Sequence, residues 1–302
     1  MTPETSGTGI QDPFSRLMVV YSPAGGNGKS EIAANLAYQL SKKGRRIWII
    51  DANSYAPTMD LIFNVKEKPD SFIRFIKSPD EKNLPIYPVY DTRDNNTQAL
   101  FLTPAGKADR ITRRDILETN EREDDFIGRL QDAIISNLTR NTIDFCIIDT
   151  HPGFERVNNI WFGMTSFLLV VSRLNDLDMR NLGVILQDYN IVDIEKKLVV
   201  FNNVHYRDEK ASHDLENQEM LEKFRHFIEG DELKKEVSVA FTCNGNICGK
   251  VEFYSDPFLY SRELALFQKE GDRKSLFSDI HPEDPFSLTL TALSSFISGM
   301  NP

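Results

Sequence analysis

Residues 17–30, Leu17-Met18-Val19-Val20-Tyr21-Ser22-Pro23-Ala24-Gly25-Gly26-Asn27-Gly28-Lys29-Ser30, decide how the fold of this chain is read. The first five form a short apolar run with β-branched valines, suited to a strand buried on both faces. Glycines at 25, 26 and 28 then let the backbone curl so that several N–H groups point inward. Past Ser30, the residues Ile32, Ala33, Leu36, Ala37 and Leu40 fall on one face of a helix, and Gly44 stands where that helix would end. Ile47-Trp48-Ile49-Ile50 is the next apolar run, and it stops at Asp51. Strand, loop, helix and strand at this spacing make a βαβ unit.

A glycine-rich turn between a buried strand and an amphipathic helix is an anion site. The helix adds its positive end to the inward-facing amides. Lys29 is expected to neutralise the β- and γ-phosphates of ATP, or the β-phosphate of ADP, and the Ser30 hydroxyl to bind Mg²⁺. The common pattern G-x-x-x-x-G-K-[ST] is not met, because its first glycine falls on Pro23.

Outward from the loop, the same alternation continues more loosely. Ala99–Leu102, Ile143–Ile148, Phe167–Val171, Leu198–Phe201 and, last, Val237–Phe241 read as strands. Phe126–Leu138 and Leu177–Tyr189 have helical periodicity. Apolar strands alternating with amphipathic helices predict a doubly wound, mostly parallel α/β sheet with helices on both faces. Asp51, Asp149 and Asn202 stand at strand C-terminal ends, where ligands bind in such sheets. Residues 1–15 read as a polar tail, and 16–302 as a single nucleotide-binding domain with insertions near 66–98 and 205–235, the second holding a helix near Leu215–Ile228.

Four segments in order resemble the MinD/ParA family of deviant Walker A P-loop ATPases. The loop Gly25-Gly26-Asn27-Gly28-Lys29-Ser30 is similar to the family's K-G-G-x-G-K-[ST]. Ile50-Asp51-Ala52-Asn53-Ser54-Tyr55-Ala56-Pro57 looks like its first switch, often D-x-D-x-x-x-P. Ile148-Asp149-Thr150-His151-Pro152-Gly153 looks like its second. Val200-Phe201-Asn202-Asn203-Val204 resembles the strand-end segment that reads adenine. The resemblance implies that Gly25, Gly26, Asn27, Gly28, Lys29, Ser30, Glu31 and Asn202 bind nucleotide. It also implies that Ser30, Asp51 and Asp149 serve the metal, and that Lys29, Asp51 and Asn53 occupy the catalytic positions. The bland readings are turn or helix caps for the two aspartates and a plain turn residue for Asn202.

Two departures bear on activity. The family's signature lysine precedes the paired glycines, and Ala24 holds that place here. Its catalytic aspartate lies two residues past the first switch aspartate, and Asn53 holds that place. Phosphoryl transfer depends on positioning and charge stabilisation. Losing a cation and a water-orienting carboxylate therefore predicts ATP binding with slow or partner-dependent hydrolysis. A basic side chain elsewhere could substitute, with Arg156 as the sequence-level candidate.

The resemblance implies a nucleotide-dependent homodimer that engages a partner protein to position or regulate a cellular cargo. The alternative is a hydrolysis-deficient, ATP-sensing scaffold. A cofactor-assembly role would lean on Cys243 and Cys248, which have four residues between them and a poor metal spacing. A tyrosine autokinase would need a C-terminal tyrosine cluster that the chain lacks. The net charge of −10 disfavours a free-standing grip on DNA. The basic runs Lys42–Arg46 and Arg110–Arg114 read as solvated helix ends and loops. Phe286–Ile297 carries apolar residues at helical spacing without lysine or arginine, so it reads as a core helix and not a membrane-targeting one. With no signal-like start, a cytoplasmic protein is expected.

Overall fold

The structure, a computed structural model, describes residues 13–65, 70–90, 99–106, 123–155, 157–186, 191, 193–202, 239–241, 251–253, 258, 261, 263–264 and 276–299. Its strands are β1 (Leu17–Tyr21), β2 (Ile47–Asp51), β3 (Tyr87–Tyr90), β4 (Leu100–Thr103), β5 (Phe145–Asp149), β6 (Phe167–Ser172), β7 (Lys196–Phe201), β8 (Val239–Phe241) and β9 (Val251–Phe253). They form one sheet in the order β3-β4-β2-β5-β1-β6-β7-β9-β8. Every pairing is parallel except β3 with β4.

The alternation of side chains along β1 explains why helices cover both faces. Leu17, Val19 and Tyr21 join one core with Leu130 and Ile134 of α4 (Glu123–Arg140) and Leu182 and Ile185 of α6 (Asp176–Leu186). Met18 and Val20 join the other. There they pack with Ile32, Leu36 and Leu40 of α1 (Lys29–Lys42), and with Phe286, Leu290, Leu293 and Ile297 of α8 (Pro285–Gly299). The remaining helices are short: α2 (Met59–Ile62), α3 (Phe72–Lys77), α5 (Asn158–Phe162) and α7 (Phe277–Ile280). The C-terminal stretch is thus a core helix, as expected. No described helix is long and apolar enough to cross a membrane.

The structure departs from the sequence reading in four places. Pro13–Arg16 form a 3-10 turn, so 13–15 are more than tail. Inside the expected polar insertion lie α3 and β3. β3 is an edge strand, the place in a sheet where Pro88 removes no needed donor. The strand ending at Phe241 is not the last, because β9 follows it and pairs between β7 and β8. Three residues with Glu252 in the middle are too short and too mixed to read as an apolar run. The basic run at 42–46 is also not simply solvated. Lys42 faces Asp279 at 3.4 Å, Arg45 donates to the Ser298 carbonyl at 3.5 Å, and Arg46 Nε donates to the Asn141 carbonyl at 2.8 Å. It clips the end of α1 to α7, α8 and the turn before β5. The 110–114 run, the 215–228 helix, Arg156, Asn203, Cys243 and Cys248 lie outside the described residues.

Candidate functional site

Parallel registry gathers the strand ends into one edge. Val20 and Asp51 both pair with Asp149, Tyr21 pairs with Val170, and Ser172 with Phe201. The loops after β1, β2, β5, β6 and β7 therefore leave the sheet side by side. The loop after β1 runs into α1, whose N-cap is Gly28 with no side-chain cap. The first turn of α1 thus keeps backbone N–H groups that have no intrahelical partner.

Gly26 and Gly28 sit at φ 77° and 80°, a region that L side chains rarely adopt. A Cβ on Gly28 would stand 2.2 Å from Asn202 Nδ2. Asn202, just past β7, is buried and donates through Nδ2 to the Asn27 carbonyl at 2.8 Å. The residue expected to read a base thus braces the backbone of the glycine-rich loop in this structure. Gly25 adopts an ordinary φ, with Pro152 Cγ the nearest neighbour of an added Cβ, at 4.0 Å.

At the base of the loop Lys29 Nζ is ion-paired with Asp149 Oδ1, and Ser30 Oγ donates to Asp149 Oδ2 at 2.7 Å. Both partners of the ion pair are buried. Glu31 is turned along α1, where Oε1 accepts from Asn35 Nδ2 at 2.9 Å. Asp51 is fully buried and spends its carboxylate on backbone. It accepts from Asn53 N at 3.1 Å and from Thr58 N and Met59 N at 3.2 Å. It therefore caps the loop that leads into α2, which is the bland reading of this residue. Burial first, and the Asp149 charge second, push its carboxyl up to about 8.

His151 was not singled out in the sequence, yet it links the two strand-end loops. Its Nε2 lies 3.1 Å from Ser54 Oγ, and its ring lies 4.3 Å from that of Tyr55. Burial, then Lys29, lower its pKa to about 4, so the ring is neutral. Arg173 was also missed. It lies one residue past β6, and Nη2 donates to the Gly26 carbonyl. The positional rule that selected Asp51, Asp149 and Asn202 would have selected it as well.

Most of the buried polar atoms that lack a hydrogen-bond partner among the described residues lie at this edge. They include Asn27 Oδ1 and Nδ2, Asn53 Oδ1, Thr58 Oγ1, His151 Nδ1 and Arg173 Nε. Buried polar groups are nearly always paired, so a cluster of unpaired ones fits a site completed by a ligand. Among the described residues no cluster of three or more His, Cys, Asp or Glu side chains could hold a metal unaided.

These shifts predict how stability depends on pH without nucleotide or metal. Asp51, raised, binds more protons folded than unfolded between about pH 4 and 8, so its contribution falls as pH rises through that window. His151, lowered, has the opposite effect between about pH 4 and 6.5. The two offset each other below pH 6.5. Above it, stability is expected to fall by about 1–2 kcal/mol up to pH 8. Urea denaturation should show this decline in the wild type and a flat curve for Asp51→Asn. A flat wild-type curve would remove the case for a protonated Asp51.

The family described as ParA, an NUBPL iron-transfer P-loop NTPase, matches residues 14–158. The chain is similar to the flagellum site-determining protein YlxH of Helicobacter pylori, 25% identical over 158 residues, covering 52% of this chain and 48% of that protein. It is similar to the septum site-determining protein MinD of Buchnera aphidicola, 27% identical over 179 residues, covering 57% and 59%. A third relative is the iron-sulfur cluster carrier protein of Rickettsia typhi, 30% identical over 138 residues, covering 46% and 37%. The chain thus spans about half the length of the curated relatives it matches. Among solved structures, MinD of Pyrococcus horikoshii complexed with Mg-ADP aligns with a TM-score of 0.61 at 14% identity, over 95% of this chain and 98% of that one. The MinC:MinD complex of Aquifex aeolicus gives 0.62 at 16%, over 95% and 97%. At these identities the solved structures establish the shared fold, and the sequence matches carry the kinship. Residues 14–158 are thus similar to the ParA family of P-loop NTPases, and the fold is the one seen in MinD.

Proposed function

We propose that this chain is an ATP-dependent dimerising switch that positions or regulates a cellular cargo through a partner protein. The observation that carries the reading is the joint geometry at the sheet edge. Uncapped amides of α1, two glycines at positive φ, Lys29 and Ser30 converge on a cluster of buried polar atoms that have no partner among the described residues. The loop 25–31 takes the phosphates through backbone N–H groups and Lys29. Ser30 Oγ and Asp149, already 2.7 Å apart, would hold Mg²⁺, and Asp51 would serve it from the next strand end. Oxygen donors of this kind suit a hard cation that keeps several waters. When bound, the metal supplies charge neutralisation along the polyphosphate.

Asn53 keeps hydrolysis slow, because an amide orients an attacking water less well than a carboxylate. A pseudo-ATPase scaffold is the second reading, favoured by Asn53 and Ala24 together. Light scattering without nucleotide, with ADP and with ATP, coupled to phosphate release, separates the two. ATP-dependent dimers that decay with slow release are expected. Asn53→Asp should then raise release about tenfold or more. Stable dimers with no release, in both forms, would favour the scaffold. A monomer in every condition would reject dimerisation altogether.

A further inference from the structure

We propose that Arg173 is a second phosphate-binding cation of the loop, taking up the polyphosphate on the side opposite Lys29. The inference rests on the ATP-binding reading above and adds a residue to it.

Two cations meet the loop in the described structure. Lys29 rises from within it and is committed to Asp149 in the buried base. Arg173 reaches in from the end of β6, and its Nη2 donates to the carbonyl of Gly26, an exposed loop residue. Gly26 leaves room for this approach: at φ 77° it has no Cβ, and an added one would lie 3.4 Å from Arg173 Nη2. The guanidinium is only partly satisfied, because its Nε is buried and has no hydrogen-bond partner among the described residues. A peptide carbonyl is a neutral acceptor. A phosphate oxygen is a charged one, and guanidinium–phosphate bonds are shorter and about twice as strong. The planar fork can also engage two oxygens at once. Arg173 therefore gains by exchanging the Gly26 carbonyl for a phosphate oxygen of a bound polyphosphate, and its second nitrogen can be satisfied in the same step.

Charge bookkeeping points the same way. The chain carries a net charge of −10, an unfavourable field for a polyanion. Position 24, next to the glycines, is alanine and offers no charge there. A loop in this field with a single ammonium, itself paired to a buried carboxylate, is short of positive potential. Arg173 supplies it from a different strand, 147 residues along the chain from Gly26.

The test compares the wild type with Arg173→Gln, Arg173→Lys and Arg173→Ala by calorimetry with Mg·ATP and Mg·ADP at two salt concentrations. Thermal melts serve as the control for folding. Gln keeps a donor for the Gly26 carbonyl and removes the charge. Lys keeps the charge and loses the fork. The expected result is at least a tenfold loss of ATP affinity in the Gln and Ala variants, with Lys within a few-fold of wild type. ATP, the more highly charged ligand, should lose more than ADP, and the wild-type preference should shrink as salt rises. Equal ATP affinity in the wild type and the Gln variant would overturn the role of Arg173 while leaving ATP binding intact. So would equal losses in Gln and Lys, since that pattern marks a structural strap. No ATP binding by the wild type would overturn both readings.

Discussion

Replacing Lys29 by methionine is expected to destabilise the nucleotide-free protein by about 3–5 kcal/mol and to weaken ATP binding about 10–100-fold. The first effect follows from where the ammonium sits. It pairs with Asp149 Oδ1, both groups are buried, and Asp149 stands in register with the fully buried Asp51. Removing the cation leaves Asp149 with the Ser30 hydroxyl and a carboxyl neighbour. An unpaired buried charge is far costlier than an unmade hydrogen bond, and protonation relieves only part of that cost. The binding loss follows from the proposed function, in which Lys29 would make charge-assisted contacts to phosphate that methionine cannot make. Denaturation of Lys29→Met, Asp149→Asn and the double variant closes the cycle. The double variant should recover about 2 kcal/mol or more relative to the sum of the singles. Additive losses would mean that the ion pair does not compensate the buried carboxylate.

Gly28→Ala is expected to cost about 2–6 kcal/mol and to abolish nucleotide binding at millimolar concentration. Two costs add. Holding an alanine at φ 80° strains the backbone by about 1–3 kcal/mol. Its Cβ would also lie 2.2 Å from Asn202 Nδ2, so the Asn202 side chain must leave its 2.8 Å bond to the Asn27 carbonyl. Breaking a buried hydrogen bond of this kind costs about 1–3 kcal/mol more. Gly25→Ala is the internal control. It has an ordinary φ and 4.0 Å of clearance, so it should change stability by less than about 1 kcal/mol. If the two alanine variants melted together, the special conformation of Gly28 would not be what holds the loop.

The first βαβ unit was legible because several local signals agree there. A five-residue apolar run, a glycine cluster and a 3.6-residue period point to the same unit. The positions of Asp149 and Asn202 were legible as well, since an apolar run that stops at a polar residue marks a strand end. Asn202 shows the limit of that rule. The strand end was right, but the amide braces Asn27, a contact 175 residues away that no local pattern encodes. Ser54 and His151, 97 positions apart, meet for the same reason: registry between β2 and β5 brings their loops together. The short strands β3 and β9 were illegible for a different reason. One contains a proline and the other a glutamate, and both draw their identity from a neighbouring strand.

The last helix has one more consequence for how this protein holds together. Phe286, Leu290, Leu293 and Ile297 of α8 are each 0% exposed, packed beside α1. Peeling those four side chains away would forfeit about 1.5–3 kcal/mol each. The total is comparable with the whole free energy that keeps an ordinary domain folded. Lifting this helix would also bare the apolar face of α1, so the two helices are expected to stay together as long as the domain is folded.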